Sequence, residues 1–307
     1  MQDSRLWDRD RRSEKSAAGD RQSIPGIRYT EKSMRFVREG IIIGPLFLHY
    51  YGLIIMLGVL AGVRLAMEMG KKRGYSGETY WDMTPWMLIS GILGARLWHV
   101  LMPSVSSGLT FGWYLQHPGE IFAVWKGGLG IPGGVLGGTF GIWLFCRRNK
   151  INYADFMDTI APAVPLGQAI GRWGNYVNQE LYGRPSTLPW AITIDPAYRP
   201  PEYAGVSTYH PLFLYESLYN LLVVLLLLKL DRSERVKLRE GSLFLIYLIA
   251  YPVGRFFLEF LRLDTAQIGG ININQTVMAV TAAAAAVFLV IREKASSNGG
   301  QGVGNVK

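Results

Sequence analysis

Between Gly171 and Gly183 the chain reads Gly-Arg-Trp-Gly-Asn-Tyr-Val-Asn-Gln-Glu-Leu-Tyr-Gly, its densest run of polar side chains set among apolar stretches. Arg172 offers a planar fork of donors suited to phosphate, while Asn175, Asn178 and Glu180 can bond hydroxyls. Together they could hold an anionic, hydroxyl-rich headgroup. The same residues also fit an interfacial turn in which Arg172 snorkels and pairs with Glu180. A second polar segment runs from Tyr251 to Arg262, where Arg255 and Glu259 stand four residues apart on one helical face and Arg262 follows one turn later. Arg96 interrupts a further apolar run. Three guanidinium groups in apolar surroundings each need an anion, and lipid phosphate is the most available one. Of the histidines His49, His99, His117 and His210, His49 and His210 open polar motifs beside apolar runs. A pKa near about 6.5 suits proton transfer, although an interfacial histidine is more often a hydrogen-bonded cap. His117, beside Pro118, reads as a surface residue.

The elements that carry these residues are membrane-like. Of 307 residues, 49% are hydrophobic and 18% charged, against roughly 25% charged in a soluble domain. The net charge of +9 sits in short clusters between apolar runs, a pattern of membrane-edge anchors and not of a nucleic-acid face. The single cysteine, Cys146, excludes an internal disulfide framework and a cysteine-based zinc site, and reads as structural.

Seven apolar segments follow one another: Gly40–Val63, Met83–Met102, Gly127–Cys146, a shorter one at Asp155–Ile170 broken by Pro162 and Pro165, Leu212–Leu228, Ser242–Leu261 and Ile273–Ile291. About 20 apolar residues cross a bilayer, so the reading is an all-α polytopic membrane protein with seven transmembrane helices. The glycines of the third segment suit close helix packing. Residues 171–211, rich in Gly, Pro and Tyr with an alternating stretch at Trp190–Ile194, suit a small extracytoplasmic head with short strands. The chain then divides into a tail at 1–40, helices 1–4 over 41–170, the head at 171–211, helices 5–7 over 212–291 and a cytoplasmic tail at 292–307. Basic residues gather at 71–73, 147–150, 229–239 and 292–294, which puts these loops in the cytoplasm, the N-terminus and head outside, and the C-terminus inside.

Collinear motifs carry a family resemblance: Leu48-His49-Tyr50-Tyr51-Gly52, Gly94-Ala95-Arg96, Trp125-Lys126-Gly127-Gly128-Leu129, the block from Gly171 to Gly183, His210-Pro211 with Tyr215-Glu216, and Arg255, Glu259 and Arg262. From about residue 41 to 291 the chain resembles bacterial prolipoprotein diacylglyceryl transferases. The resemblance implies a multi-pass protein of the bacterial cytoplasmic membrane. It would transfer the diacylglyceryl group of phosphatidylglycerol to the lipobox cysteine thiol of a prolipoprotein, recognised through its signal peptide, and release glycerol 1-phosphate. No metal or organic cofactor is implied, and no nucleic-acid partner. The essential arginines of the family map by motif to Arg172 and Arg255, its signature Asn and Glu to Asn175 and Glu180, and its first-helix Tyr to Tyr51. His49, Arg96, Asn178 and Tyr251 join these as expected headgroup contacts.

One departure from the family pattern concerns proton transfer. Some members carry a histidine where this chain has Pro132, and proline accepts no proton. His99, His210 and Glu180 are the remaining candidates for a base, and the positive field of the arginines could itself activate the thiol. A lipid or small-anion transporter is the competing reading, because intramembrane arginines also mark substrate pathways, but the two halves share no repeated motif. A non-enzymatic scaffold that binds anionic lipid is a third.

Residues 1–40 carry ten Lys/Arg and seven Asp/Glu with no apolar stretch of signal-peptide length, and read as a disordered or surface tail. Met34 just precedes the first apolar run and is the expected natural start. Intact-mass analysis of the natively expressed protein should then give a chain beginning at Met34 or Arg35; a mass that includes Met1 or Gln2 contradicts this.

Overall fold

The computed structural model describes residues 34–38, 40–43, 46–103, 108–234, 236–263, 265 and 267–299. Two compact units divide at His49. In the first, β1 (Met34–Val37), β2 (Gly40–Ile43) and β3 (Leu46–His49) form an antiparallel three-stranded sheet in sequence order, with Met34 opposite Ile43 and Gly40 opposite His49. The Ile41-Ile42-Ile43 run explains the strand, since β-branched side chains fit a pleated sheet. Strand structure reaches into the expected tail at Met34–Val37, and one expectation is corrected here: the first long helix begins at Tyr50 and not at Gly40. Residues 1–33 lie outside the described residues.

The second unit is helical. α1 (Tyr50–Lys71) is followed by α2 (Gly77–Leu101), the short α3 (Phe111–Gln116) and α4 (Pro118–Ile121), then α5 (Ile131–Arg148), α6 (Tyr153–Ile160) and α7 (Ala163–Asn178). After β4 (Ile192–Thr193) and β5 (Thr208–Tyr209), which pair antiparallel, come α8 (Leu212–Asp231) and α9 (Ser242–Leu258), the latter continuing into a 3-10 turn over Glu259–Leu261. The hairpin of β6 (Gln267–Ile268) and β7 (Ile271–Asn272) leads into α10 (Ile273–Gly299). A helix overlaps each of the seven apolar segments, and among the described residues four helices are long and apolar enough to cross a bilayer: Tyr50–Lys71, Leu212–Asp231, Ser242–Leu261 and Ile273–Lys294.

The boundaries move for identifiable reasons. α2 starts early because the Ser76 hydroxyl accepts from the Thr79 amide as an N-cap. α5 starts late because Gly127 and Gly128 hold φ of +84° and +70°, backbone that glycine adopts without strain. Pro132 falls in the first turn of α5, where its missing N–H costs nothing. The fourth span is two helices parted at Ala161-Pro162, and it runs past Ile170 to Asn178. The signature arginine and both asparagines therefore ride on a helix, not in the polar head.

Glycine seams bring the helices close. A Cβ on Gly94 would stand 2.9 Å from the Gly137 Cα, one on Gly58 3.1 Å from the Gly167 carbonyl oxygen, and one on Gly62 3.2 Å from that of Ala163. These contacts lock α2 to α5 and α1 to α7, in the manner of small-residue membrane interfaces.

At the end of this unit that carries the basic loops, Arg73 is the node. Its guanidinium meets Asp155 at 2.5 Å, Asp231 at 3.2 Å and Asp158 at 3.6 Å. The Gly241 and Phe244 amides donate to Asp158, and the Arg239 guanidinium donates to the Arg292 carbonyl at 2.8 Å. Three of the four basic segments expected on one side, 71–73, 229–239 and 292–294, thus meet at one end. Burial alone would weaken the Arg73 charge, but the three carboxylates outweigh it and hold its pKa above the ordinary value. Burial, with the hydrogen bond to Asp155, pushes the Tyr75 phenol up.

Arg73→Ala leaves three carboxylates around an unfilled centre, Asp158 nearly fully buried. We expect it to cost roughly 1–3 kcal/mol, reduced from the fully buried limit because Arg73 is partly exposed. The readout is a lower midpoint of thermal unfolding in detergent, with Arg73→Lys intermediate; an unchanged midpoint for Arg73→Ala contradicts the node.

Candidate functional site

Arg172 lies in the last two turns of α7, and its neighbours come from two other helices. One terminal nitrogen donates to Asn175 Oδ1 at 3.2 Å and the other meets Glu216 Oε1 of α8 at 2.6 Å. Tyr251 of α9 lies near enough to Arg172, Glu216 and Arg255 to feel all three charges, at the end of the helices opposite the Arg73 node. Arg255 in turn meets Glu259 at 2.8 Å, Arg262 stands 3.7 Å from the same carboxylate, and Asn274 of α10 donates to its other oxygen at 2.8 Å. Glu216 and Glu259 are both buried, at 6% and 2% exposure, which is tolerable only because each faces a guanidinium.

The expected Arg172–Glu180 pair does not form. Glu180 is exposed and accepts from Asn175 at 2.9 Å and from Asn178 at 3.4 Å. Gln179, in the left-handed region at φ 52°, ends α7 and turns Glu180 back onto it. Glu216 takes its place as the partner of Arg172. It is a residue that sequence reasoning quoted only within a motif. Its signal was available: a lone acid four residues into an apolar helix needs a cation.

The other expected residues separate into distinct settings. Tyr51 lies in the first turn of α1 with its ring over Gly174, where a Cβ would come within 2.6 Å, so it borders Arg172 and Asn175. His210 keeps company with Tyr215, its Nδ1 3.2 Å from the hydroxyl, which also accepts from Trp190 Nε1 at 2.7 Å. The His210 backbone pairs with Gly183 and Arg184, and Arg184 N–H donates to the Leu261 carbonyl. One short strand segment thereby ties the end of the signature block to the ends of α8 and α9. His49 closes β3 in the first unit, its ring centroid 4.2 Å from that of Phe47.

Arg96 is not poised for a phosphate. It donates to the carbonyls of Glu120 at 2.5 Å, Ile121 at 2.9 Å, Gly127 at 2.7 Å and Gly128 at 3.1 Å. Its fork holds the α2–α5 connection in place. His99, one turn on, is buried against this loop, edge-on to Tyr114 at 6.1 Å, and a Cβ on Gly128 would strike its ring.

Between α1, α2 and α7 lies a cavity of about 470 Å³. Its walls are mostly apolar (Ile55, Met83, Met87, Val164), but Tyr51, Arg172 and Asn175 stand at one end. Such a space suits an amphiphile with its charged group at the arginine and its hydrocarbon inward.

The chain matches the family model described as prolipoprotein diacylglyceryl transferase over residues 40–291. A protein of Frankia alni named phosphatidylglycerol–prolipoprotein diacylglyceryl transferase is 43% identical over 250 residues, covering 81% of this chain and 64% of that one. Proteins with the same name from Trichormus variabilis and Gloeobacter violaceus are 39% and 42% identical, over 76% of this chain and 82% and 85% of theirs. This chain thus spans just under two thirds of the Frankia relative and most of the other two.

Arg96→Ala would strip four carbonyls of their donor. We expect faster limited proteolysis between residues 117 and 130, with cleavage elsewhere unchanged; equal protection of that loop contradicts its dependence on Arg96.

Proposed function

The chain belongs to the prolipoprotein diacylglyceryl transferase family, and from that membership we propose that it transfers the diacylglyceryl group of phosphatidylglycerol to the cysteine thiol of a prolipoprotein lipobox. The observation that carries this reading is Arg172, held by the buried Glu216, bordering an apolar cavity, with Arg255 held by the buried Glu259 at the same end of the helices.

In this reading all seven long helices cross the bacterial cytoplasmic membrane. The loops gathered at Arg73 face the cytoplasm with the C-terminus, and the signature block, the β4–β5 segment and the N-terminus face outward. The clustering of Lys and Arg at a single end supports this orientation. The signal peptide of the prolipoprotein would bring its cysteine to the outer end of the bundle.

The lipid phosphate sits between Arg172 and Arg255, with Asn175, Asn178, Glu180 and Tyr51 around its glycerol hydroxyls. The thiol sulfur attacks the glyceryl carbon bound to the phosphate oxygen. A carbon–sulfur bond forms as the carbon–oxygen bond breaks, and the electron pair leaves on the phosphate oxygen as glycerol 1-phosphate. The two guanidinium groups stabilise the charge gathering there. Glu216 and Glu259 orient the two forks, and with Arg262 also on Glu259 the guanidinium groups still outnumber the carboxylates. The two glutamates are positioning residues.

A thiol of pKa about 8.5 is largely protonated at neutral pH, so its proton must be drawn off. Pro132 leaves no acceptor at its position. His99, His210 and Glu180 are available, each contributing modestly, because the field of the arginines lowers the cost of the thiolate.

The test is transfer from phosphatidylglycerol to a lipobox peptide, followed by thioether formation. Arg172→Ala and Arg255→Ala should each lower it by at least about 100-fold, the scale for losing one preorganised donor to a developing charge, while both proteins still fold. Retained transfer in both contradicts the assignment. His99→Ala should fall less; a loss as deep as that of Arg172→Ala would make His99 the principal base.

A further inference from the structure

Below the arginine layer lies a second polar layer that the reaction does not account for. Moving four residues inward along each helix takes Arg172 to Gln168, Glu216 to Asn220 and Tyr251 to Tyr247. The layers are real neighbours. Gln168 Nε2 donates to the Tyr247 hydroxyl at 3.2 Å, and the Ser217 hydroxyl donates to the Ala169 carbonyl at 2.9 Å, which sets α8 against α7 at this level. Polar groups here are left wanting. Gln168 Oε1 and both amide atoms of Asn220 are buried without a hydrogen-bond partner among the described residues. Orphaned buried amides cost free energy, so a ligand or water that satisfies them is favoured there.

Gln168 also lines the 470 Å³ cavity, below Arg172 on the same face of α7. We propose that Gln168, steadied by Tyr247, is a specificity residue that reads an ester carbonyl of the bound glycerolipid; this rests on the transferase reading above. The spacing fits: four residues of helix advance about 6 Å. In a diacylglycerol phospholipid five bonds of roughly 1.5 Å separate phosphorus from the ester carbonyl carbon, on the order of 6 Å through space. A phosphate at Arg172 therefore brings an ester to the level of Gln168, with the acyl chain continuing along the apolar wall. Rotating the Gln168 amide by 180° keeps the Tyr247 contact, the hydroxyl now donating to Oε1. Nε2 then takes the place where no donor stands, and can donate to the carbonyl.

The proposal separates ester lipids from ether lipids, which carry the same phosphate and chains but no carbonyl. The experiment compares diacyl and dialkyl phosphatidylglycerol as donors to a lipobox peptide, for the wild-type protein and for Gln168→Leu and Gln168→Met. The wild-type KM should be roughly two- to tenfold lower for the diacyl lipid, the worth of one hydrogen bond, with kcat alike. Both variants should raise the diacyl KM to the dialkyl value and leave the dialkyl KM where it was. Equal wild-type KM values for the two lipids overturn the role of Gln168, as does a variant that raises both in parallel. If neither variant folds, the wild-type comparison alone decides. Transfer from neither lipid by the wild-type protein overturns the transferase reading itself, and this inference with it.

Discussion

A guanidinium group cannot sit unpaired inside an apolar helical bundle, and the fold is organised around that constraint. Arg172 and Arg255 stand on two helices near one phenol, Tyr251, and each is held by a buried carboxylate, Glu216 or Glu259. Replacing one member of such a pair would strand a charge where water cannot reach it. The pairing also sets the geometry. It fixes α7 against α8 through Arg172–Glu216, and through Asn274 it draws α10 onto the end of α9. A site that must accept an anion is thereby kept rigid while its guanidinium groups, Arg262 among them, still outnumber its two buried carboxylates.

Arginine does different work at three places, and its partners decide which. Arg73 meets three carboxylates and knits loops from three parts of the chain into one end. Arg96 spends its donors on four backbone carbonyls and so shapes a connection. Arg172 and Arg255 meet a carboxylate each and share a polar neighbour, which leaves them fit to take a further anion. Residue type and apolar context are the same for Arg96, Arg172 and Arg255. What differs is whether exposed carbonyls of a neighbouring loop are within reach.

The long helices were legible because apolar runs and basic loop ends are strong signals, and each expected span has a helix at its centre. Their ends were less so. Ile41-Ile42-Ile43 is as apolar as a membrane helix yet pairs as a strand, since hydropathy alone does not distinguish the two. The break at Ala161-Pro162 was legible from the proline, but the continuation to Asn178 depends on packing between α1 and α7 that no local window contains. At the site, Arg172, Asn175, Arg255 and Glu259 could be read from spacing. Glu216 signals that it needs a cation, but which cation, like the setting of Gln168, comes from residues 44 and 79 positions away in sequence, Arg172 and Tyr247.

The central claim is that Arg172 and Arg255 hold one and the same phosphate. A double-substitution cycle on lipid binding tests it most directly, with Arg172→Gln, Arg255→Gln and the combined variant titrated with phosphatidylglycerol and with phosphate-free diacylglycerol in nanodiscs. If both guanidinium groups grip one anion, their losses in phosphatidylglycerol affinity are strongly coupled and diacylglycerol binding is untouched. Losses that simply add, or that are as large for diacylglycerol, would mean the two arginines serve separate purposes, and the account of the site would fail.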